Sequence, residues 1–175
     1  KKIAKILRRI GVNTASIYEH IAGFSIRCAL SEDGMMPFLR RLEAIIPDIS
    51  DQYSFGMESF NDYMELKIRA MHVFQCSLML EAIKKIQSNS LTVVDIGDSA
   101  GTHMLYLQAL LKGKRNINAV SVNLDPCAVA KIKSKGQEAI LSRAEELDLG
   151  GRTIDLFTSF EMVEHLHNPA VFFRR

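Results

Sequence analysis

Hydrophobic residues in the first half of the chain recur every three or four positions, which is typical of amphipathic helices. Two such sets stand at Ile3, Ile6, Leu7 and Ile10 and at Ile17, Ile21, Phe24 and Cys28. Pro37 can open a further helix that runs through Leu42 to Ile46, because proline is well tolerated in a first helical turn. The polar stretch "QSNS" at residues 87–90 closes this region.

A longer helix is predicted after Ser59, whose hydroxyl is suited to an N-cap. Its inner face is expected to carry Met64, Ile68, Met71, Phe74 or Gln75, and Leu78. We interpret this methionine and aromatic stripe as core packing. Residues 1–88 are therefore predicted to form a helical cap or a dimerisation region.

Beyond residue 90 the pattern changes to short, branched apolar runs separated by helical stretches. "LTVVDIG" suits a strand buried on both faces, and residues 102–111 suit a helix. The alternation continues with "INAVSVNLD" as a strand, "PCAVAKIKSKG" as a helix, "EAILS" and "TIDLFTSFE" as strands, and "NPAVFFRR" as the start of a helix. Strands that alternate with helices predict an α/β fold with a Rossmann-like parallel sheet.

Composition and charge narrow the classes of protein. A net charge of +2 over 175 residues gives no argument for a nucleic-acid partner, and none is expected, although RNA stays open as a substrate. Cys28, Cys76 and Cys127 form no C-x-x-C pair, so neither a disulfide framework nor a zinc site is indicated, and a cytoplasmic setting is expected. The longest apolar stretch, at residues 71–83, is interrupted by polar side chains and is shorter than the ~20 residues of a membrane span, so no membrane partner is expected.

The segment "VVDIGDSAGTHM" places Gly97 and Gly101 in the turn between the first strand and its helix. In open parallel sheets this turn lies nearest the ligand, and glycine lets backbone N–H groups approach a phosphate or a carboxylate. The P-loop pattern is absent, because no Gly-Lys-Ser/Thr follows. The dinucleotide fingerprint would need glycine at 97, 99 and 102, where Ser99 and Thr102 stand at the last two positions, so an NAD-binding oxidoreductase is disfavoured.

Four segments together resemble the class I S-adenosylmethionine-dependent methyltransferases. "VVDIGDSAG" resembles the first motif of that family, with Asp95, Gly97 and Gly101 matching and Ser99 in place of the middle glycine. "AVSVNLDPCAVAKIKSKG" resembles the second strand and helix, "AILSRAEELDL" the third strand and adenine loop, and "IDLFTSFEMVEHLHNP" the fourth strand with the E-x-x-E-H-x-x-x-P sequence that follows. The last segment discriminates best and is similar to the ubiquinone-biosynthesis O-methyltransferase-like branch. The resemblance covers about residues 91–175.

The resemblance implies a set of cofactor-binding residues. The methionine end of S-adenosylmethionine would lie at the glycine loop, the ribose at the end of the second strand, the adenine at the third loop and the sulfonium near the fourth strand. In that order the implied residues are Asp95, Gly97, Asp98, Ser99, Ala100 and Gly101; Asn123, Leu124 and Asp125; Arg143, Ala144 and Glu145; and Phe160 and Glu161. Three have a second interpretation: Asp95 could brace the loop, Asp125 could cap the next helix, and Arg143, where the family commonly has Asp, could point to solvent.

His165 and Glu164, just after the fourth strand, are the candidate catalytic residues. Methyl transfer to a hydroxyl benefits from a base, and histidine is the usual choice, although His165 could equally orient the loop as a scaffold residue. His165 and His167 make no metal site without further ligands, so no metal is expected. His103 is expected to cap its helix or contact solvent. "SFEM" lacks the N/D-P-P-Y/F sequence of many amino-methylating enzymes, which argues against base methylation of that type.

We therefore predict an enzyme that transfers a methyl group from S-adenosylmethionine to oxygen of a small-molecule acceptor and releases S-adenosylhomocysteine. Residues 89–175 would form the methyltransferase domain. The family's sheet usually has seven strands and this chain stops after the fourth, so the C-terminal half of the domain is expected to be missing. The N-terminal helices could mediate a homodimer. The alternative is a non-catalytic interaction protein with a degenerate methyltransferase-like domain, marked by a preserved fold that does not bind the cofactor.

Overall fold

The computed structural model describes residues 13–52 and 60–174. Three helices come first: α1 (Thr14–Glu32), α2 (Met36–Ile45) and α3 (Asp62–Lys84). The helix predicted over residues 3–10 and the N-cap predicted at Ser59 lie outside the described residues. The N-cap of α3 is Asn61, whose side-chain oxygen accepts a hydrogen bond from the Met64 N–H at 3.0 Å.

The buried face of α3 differs in part from the prediction. Ile68 is buried as expected, and of the two alternatives Gln75 is buried whereas Phe74 is 64% exposed. Leu78 is 45% exposed, so its predicted place on the inner face is wrong. The core face is formed mainly by Leu66, Val73, Cys76, Met79 and Ile83. Because α3 carries apolar residues around most of its circumference, periodicity alone does not select the side that packs.

The rest of the chain forms a four-stranded parallel sheet, which confirms the predicted Rossmann-like α/β fold. The strands are β1 (Ser90–Ile96), β2 (Asn116–Asn123), β3 (Glu138–Leu141) and β4 (Leu156–Thr158), in the spatial order β3-β2-β1-β4. Helix α4 (Thr102–Leu111) connects β1 to β2, and α5 (Pro126–Ser134) connects β2 to β3. The strand order reverses between β1 and β4, and in such sheets the ligand crevice lies beside this point, at the carboxyl ends of the strands.

Strand β4 is shorter than the predicted nine-residue run "TIDLFTSFE". Only Leu156, Phe157 and Thr158 pair with β1, opposite Val93–Asp95. The chain then leaves the sheet through a 3-10 turn at Val163–His165 and the short helix α6 (Pro169–Phe172). A further 3-10 turn at Ala144–Glu146 follows β3.

Each face of the sheet packs into its own core. Side chains alternate along β1, so Leu91 and Val93 face helices α1–α4, whereas Val94 and Ile96 face the segments that follow β3 and β4. Asp95 shares the helical side with Leu91 and Val93. None of the helices within residues 13–52 and 60–174 combines the length and apolar composition needed to cross a membrane.

Candidate functional site

A cleft of about 340 Å³ lies at the carboxyl ends of the strands. This volume falls within the range of about 300–1,000 Å³ that small-molecule sites occupy. Eight of the predicted site residues line it: Gly97, Asn123, Leu124, Arg143, Ala144, Glu145, Glu161 and His165. They come from the turns that follow four different strands. A more open groove of about 560 Å³ is lined by residues of α1, α3 and the N-cap of α3, away from the strand ends.

The glycine loop depends on its two glycines. Gly97 and Gly101 have φ values of 99° and 73°, a left-handed conformation that glycine adopts without strain. A Cβ at position 97 would lie 3.0 Å from side-chain atoms of Met162, and one at position 101 would lie 3.2 Å from Ile132. The Gly97 N–H donates to the Val122 carbonyl at 2.8 Å, which ties the loop to β2. Gly97 itself is exposed to the cleft.

The Asp98 side chain folds back into this loop. Its Oδ1 accepts a hydrogen bond from the Thr102 N–H at 3.1 Å, and the N–H of Ala100 also interacts with the carboxylate. Asp98 is only 2% exposed, and it lies outside the cleft. The start of α4, where a ligand carboxylate was expected to bind, is therefore already occupied by a carboxylate of the chain itself.

Polar contacts at the end of β2 fix the next part of the cleft. The Asn123 side-chain amide donates to the Asp98 carbonyl at 3.3 Å, and its oxygen accepts from the Asp125 N–H at 2.9 Å. Asp125 caps α5 by accepting from the Cys127 N–H at 2.8 Å. Asn123 and the exposed Leu124 line the cleft, whereas Asp125 holds the start of the helix beside it.

The loop after β3 supplies a further wall. The Arg143 side chain is 50% exposed and lies 3.9 Å from a Glu145 oxygen and 3.7 Å from a Glu146 oxygen. Ala144, the next residue, is buried where the 3-10 turn begins. Arg143 thus contacts its own neighbouring carboxylates at the rim of the cleft.

The loop after β4 covers the remaining side. Glu161 has a φ of 52°, and it alone among the non-glycine residues of the described chain has a positive φ. Such backbone strain persists where surrounding structure imposes it, often at functional sites. His165 is exposed and lines the cleft together with His167, whereas Glu164 is exposed but lies outside the lining. Phe160 packs away from the cleft, with its ring 5.2 Å from that of His103.

A buried hydrogen-bond network lies behind the glycine loop. Asp95 contacts Nδ1 of His103 at 2.7 Å and accepts from the Thr158 hydroxyl at 2.8 Å. Nε2 of His103 lies 2.9 Å from the side-chain oxygen of Gln75 on α3. The prediction that His103 caps its helix or contacts solvent is wrong, because the first turn of α4 faces α3 and leaves His103 only 6% exposed. The Asp95 carboxylate makes the contacts of a bracing residue and does not line the cleft.

Opposing effects set the charge states in this network. Burial disfavours the charged form of His103, but the neighbouring Asp95 carboxylate and, more weakly, Asp98 raise its pKa to about 9. A charged imidazole donates from both nitrogens, which suits its two acceptors, Asp95 and Gln75. Burial raises the pKa of Asp98 to about 6, opposed by the charge on His103. Burial also lowers the pKa of His72, whose ring packs edge-on 5.1 Å from His103, to about 3.

Three residues of types that can bind a metal ion lie close together here. Ligand atoms of Asp95, Asp98 and His103 lie within 4.8 Å of one another. Both ring nitrogens of His103 and both oxygens of Asp95 are already engaged with protein partners. Asp95 and His103 are therefore accounted for by an ion pair and its hydrogen bonds.

Sequence reasoning missed several contributors to this region. The sequence pattern offers Gln75 only as one of two residues for the inner face of α3, and it gives Gln52 no role. His167 stands out only as a possible metal ligand, and Met162 only as part of a motif. An isolated glutamine or methionine carries no local signal for such roles, because each depends on residues far away in the chain.

Comparisons with known proteins agree with this architecture. Residues 94–175 match the methyltransferase domain family. Coclaurine N-methyltransferase bound to N-methylheliamine and S-adenosylhomocysteine is similar to 99% of this chain over 60% of its own length, at 16% identity and a TM-score of 0.52. The sugar N-methyltransferase KedS8 from Streptoalloteichus sp. is similar to 59% of this chain over 42% of its own length, at 16% identity and a TM-score of 0.43.

The structural similarity covers only part of each of these proteins. The chain spans 60% of the first of these structures and 42% of the second. At such identities the similarity to coclaurine N-methyltransferase shows the fold. A search of curated proteins found no match.

Proposed function

We propose that this protein, whose residues 94–175 match the methyltransferase domain family, binds S-adenosylmethionine at the strand ends and methylates an acceptor. The observation that carries the proposal is the cleft itself, since turns after all four strands line it. Gly97 would adjoin the methionine end, Asn123 and Leu124 the ribose, and residues 143–145 the adenine. Besides its bonds to Asp98 and Asp125, the Asn123 amide keeps a second N–H and a second oxygen lone pair that can bind a diol.

The chain's own residues fit this cofactor in two ways. Gly97 leaves its backbone open to the cleft, where a Cβ would meet Met162. The cleft also mixes apolar side chains with a few polar groups, as small-molecule sites do. Asp98 occupies the Thr102 N–H at the start of α4, so we assign the methionine end to the Gly97 side of the loop.

We further propose that the acceptor is a small molecule and that its reacting atom is oxygen. Bound S-adenosylmethionine supplies a methyl group that its sulfonium has already activated. The chain then needs mainly to orient the acceptor and exclude water, and orientation alone can contribute about 7–11 kcal/mol. His165 is the candidate to take the hydroxyl proton on an imidazole nitrogen, because it is exposed and lines the cleft. Glu164, beside it, is the second candidate.

Calorimetric titration with S-adenosylhomocysteine and S-adenosylmethionine, with NAD as the negative ligand, tests the proposal. Gly97→Arg should abolish binding, because it fills the cleft and clashes with Met162. Gly113→Arg is the matched control: Gly113 also has a positive φ, of 76°, but a Cβ there meets nothing within 4 Å. Binding should survive in this control.

A chain that keeps its circular dichroism spectrum yet binds neither methylation ligand would refute the proposed function. That result would favour the interaction protein with a methyltransferase-like fold. Equal loss of binding in both glycine variants would mean that strain, rather than occupancy of the cleft, caused the loss.

A further inference from the structure

The segment between α2 and the end of the first described range, residues 46–52, connects the helical region to the glycine loop. Its start is held by Arg69 of α3, which is 2% exposed. The Arg69 guanidinium donates to the Ile46 carbonyl at 3.0 Å and to the Pro47 carbonyl at 2.6 Å. Glu65, at 2.7 Å from the guanidinium, balances its charge. These contacts hold the start of the segment, which follows α2, against α3.

The segment ends on the glycine loop at Gln52, which is 7% exposed. The Ser99 hydroxyl donates to the Gln52 backbone carbonyl at 2.5 Å, and the Gln52 side-chain amide approaches the same hydroxyl at 3.4 Å. The Thr102 hydroxyl donates to the Gln52 side-chain oxygen at 2.6 Å. Ser99 is the residue that stands where the family motif has its middle glycine. Its side chain has a partner in the helical region, outside the cleft lining.

Lysines of α5 and its C-cap strengthen the same junction. Lys135 lies 2.8 Å from a carboxylate oxygen of Asp51 and donates to the Ala100 carbonyl at 3.0 Å. Lys131 donates to the Asp51 carbonyl at 2.6 Å. The glycine loop is therefore held between residues 51–52 on one side and α5 on the other.

We propose that Gln52 is a positioning residue for the cofactor loop, so that the helical region sets the conformation in which the loop binds. This inference rests on the proposed function of the cleft. Gln52 touches no cofactor-lining atom; it acts through Ser99 and Thr102. Without the Gln52 side chain the buried Thr102 hydroxyl loses its acceptor, whereas Ser99 still donates to the backbone carbonyl of residue 52. The loop is then less ordered before binding, and ordering it lowers the affinity.

Replacement of Gln52 by methionine keeps the side chain's length and removes its polar atoms. We expect Gln52→Met to weaken S-adenosylhomocysteine binding about tenfold, measured by calorimetric titration, which corresponds to about 1.4 kcal/mol. Gln108→Met is the matched control, because the Gln108 side chain lies near the C-terminal end of α4 and donates to the Ile117 carbonyl at 3.2 Å. This control should change the dissociation constant for S-adenosylhomocysteine by less than about twofold.

A double-mutant cycle with Thr102→Val separates positioning from a general loss of stability. Thr102→Val removes the hydroxyl that donates to the Gln52 side-chain oxygen, so Gln52→Met should then weaken binding only about two- to threefold further. A tenfold effect in both backgrounds would show that the Gln52 side chain does not act through Thr102. If Gln52→Met does not fold, Thr102→Val alone serves as the second variant and should weaken binding in the same direction.

Hydrogen exchange of the backbone amides of residues 98–103 gives a measure that needs no ligand. Gln52→Met should speed exchange there and leave residues 116–123 of β2 unchanged. Wild-type chain that binds no S-adenosylhomocysteine overturns the proposed function, but the exchange result still decides whether Gln52 orders the loop. Unchanged exchange at residues 98–103 together with unchanged binding overturns this inference.

Discussion

Raising the pH should remove the charge from His103 and with it part of the protein's stability. The pKa of this group rises from its ordinary 6.5 to about 9 in the folded chain, since the Asp95 and Asp98 carboxylates outweigh the opposing effect of burial. A group whose pKa is higher in the folded state stabilises the fold fully below its unfolded pKa and loses that contribution as the pH passes its folded pKa. For His103 this window runs from pH 6.5 to about 9.

The loss should amount to about 3 kcal/mol, because each unit of pKa difference is worth about 1.4 kcal/mol. His103 is almost fully buried, so solvent screens the pair little. His72, which packs against it, stays neutral throughout because its pKa is lowered to about 3. Asp98 also makes the fold less stable as the pH rises, but at lower pH. Its pKa is raised from 3.8 to about 6, so its contribution to stability is present below pH 3.8 and is lost by about pH 6.

Urea unfolding in reducing buffer, followed by circular dichroism at several pH values from about 6 to 10, measures this fall. Combining Asp95→Asn with His103→Gln replaces both charges by amides that can still form hydrogen bonds, and this variant should lose most of the pH dependence across the window. His20→Gln alters an exposed histidine of α1 and should behave as wild type. Stability that stays level or rises between pH 6.5 and 9, or an equal fall in the double variant, would refute a charged His103.

Two further substitutions test the supports of the site. Arg69→Met should lower the free energy of unfolding by about 2–5 kcal/mol, because the carbonyls of Ile46 and Pro47 lose their buried donor; urea denaturation measures this, and a loss below about 0.5 kcal/mol would contradict the role. Asp125→Ala removes the N-cap of α5 and should cost about 1 kcal/mol, whereas Asp125→Ser, which can also cap, should retain most of it. Equal losses in the two Asp125 variants would show that capping is not what this residue supplies.

Local pattern was sufficient to predict the sheet and its connections. Helix α4 spans Thr102–Leu111, as the pattern predicted, because glycines precede it and a glycine follows its apolar run. The change from helical spacing to branched apolar runs marked β1 and β2, and alternation of strands with helices implied parallel pairing. The eight predicted residues in the cleft follow from the same logic, since carboxyl ends of parallel strands meet at one edge.

Long-range contacts could not be predicted in this way. Whether Gln75 or Phe74 turns inward on α3 depends on its partner, and that partner is His103 on a helix of another region. The burial of His103 likewise depends on α3 covering the start of α4. A histidine at a helix start is ordinarily placed by propensity at the surface, and tertiary packing overrides that preference here.

The two parts of the chain are therefore coupled at the glycine loop and at the first turn of the helix that follows it. Ser99 replaces a glycine, and its hydroxyl contacts Gln52; His103 follows the loop, and its imidazole contacts Gln75. Both partners lie in the region before the sheet, which the family match does not include. In an isolated loop, serine in place of glycine only restricts the backbone. Here the Ser99 hydroxyl also bonds the loop to Gln52 of the helical region. The loop and the helices that precede it are best understood as one structural unit, whose polar contacts are satisfied only together.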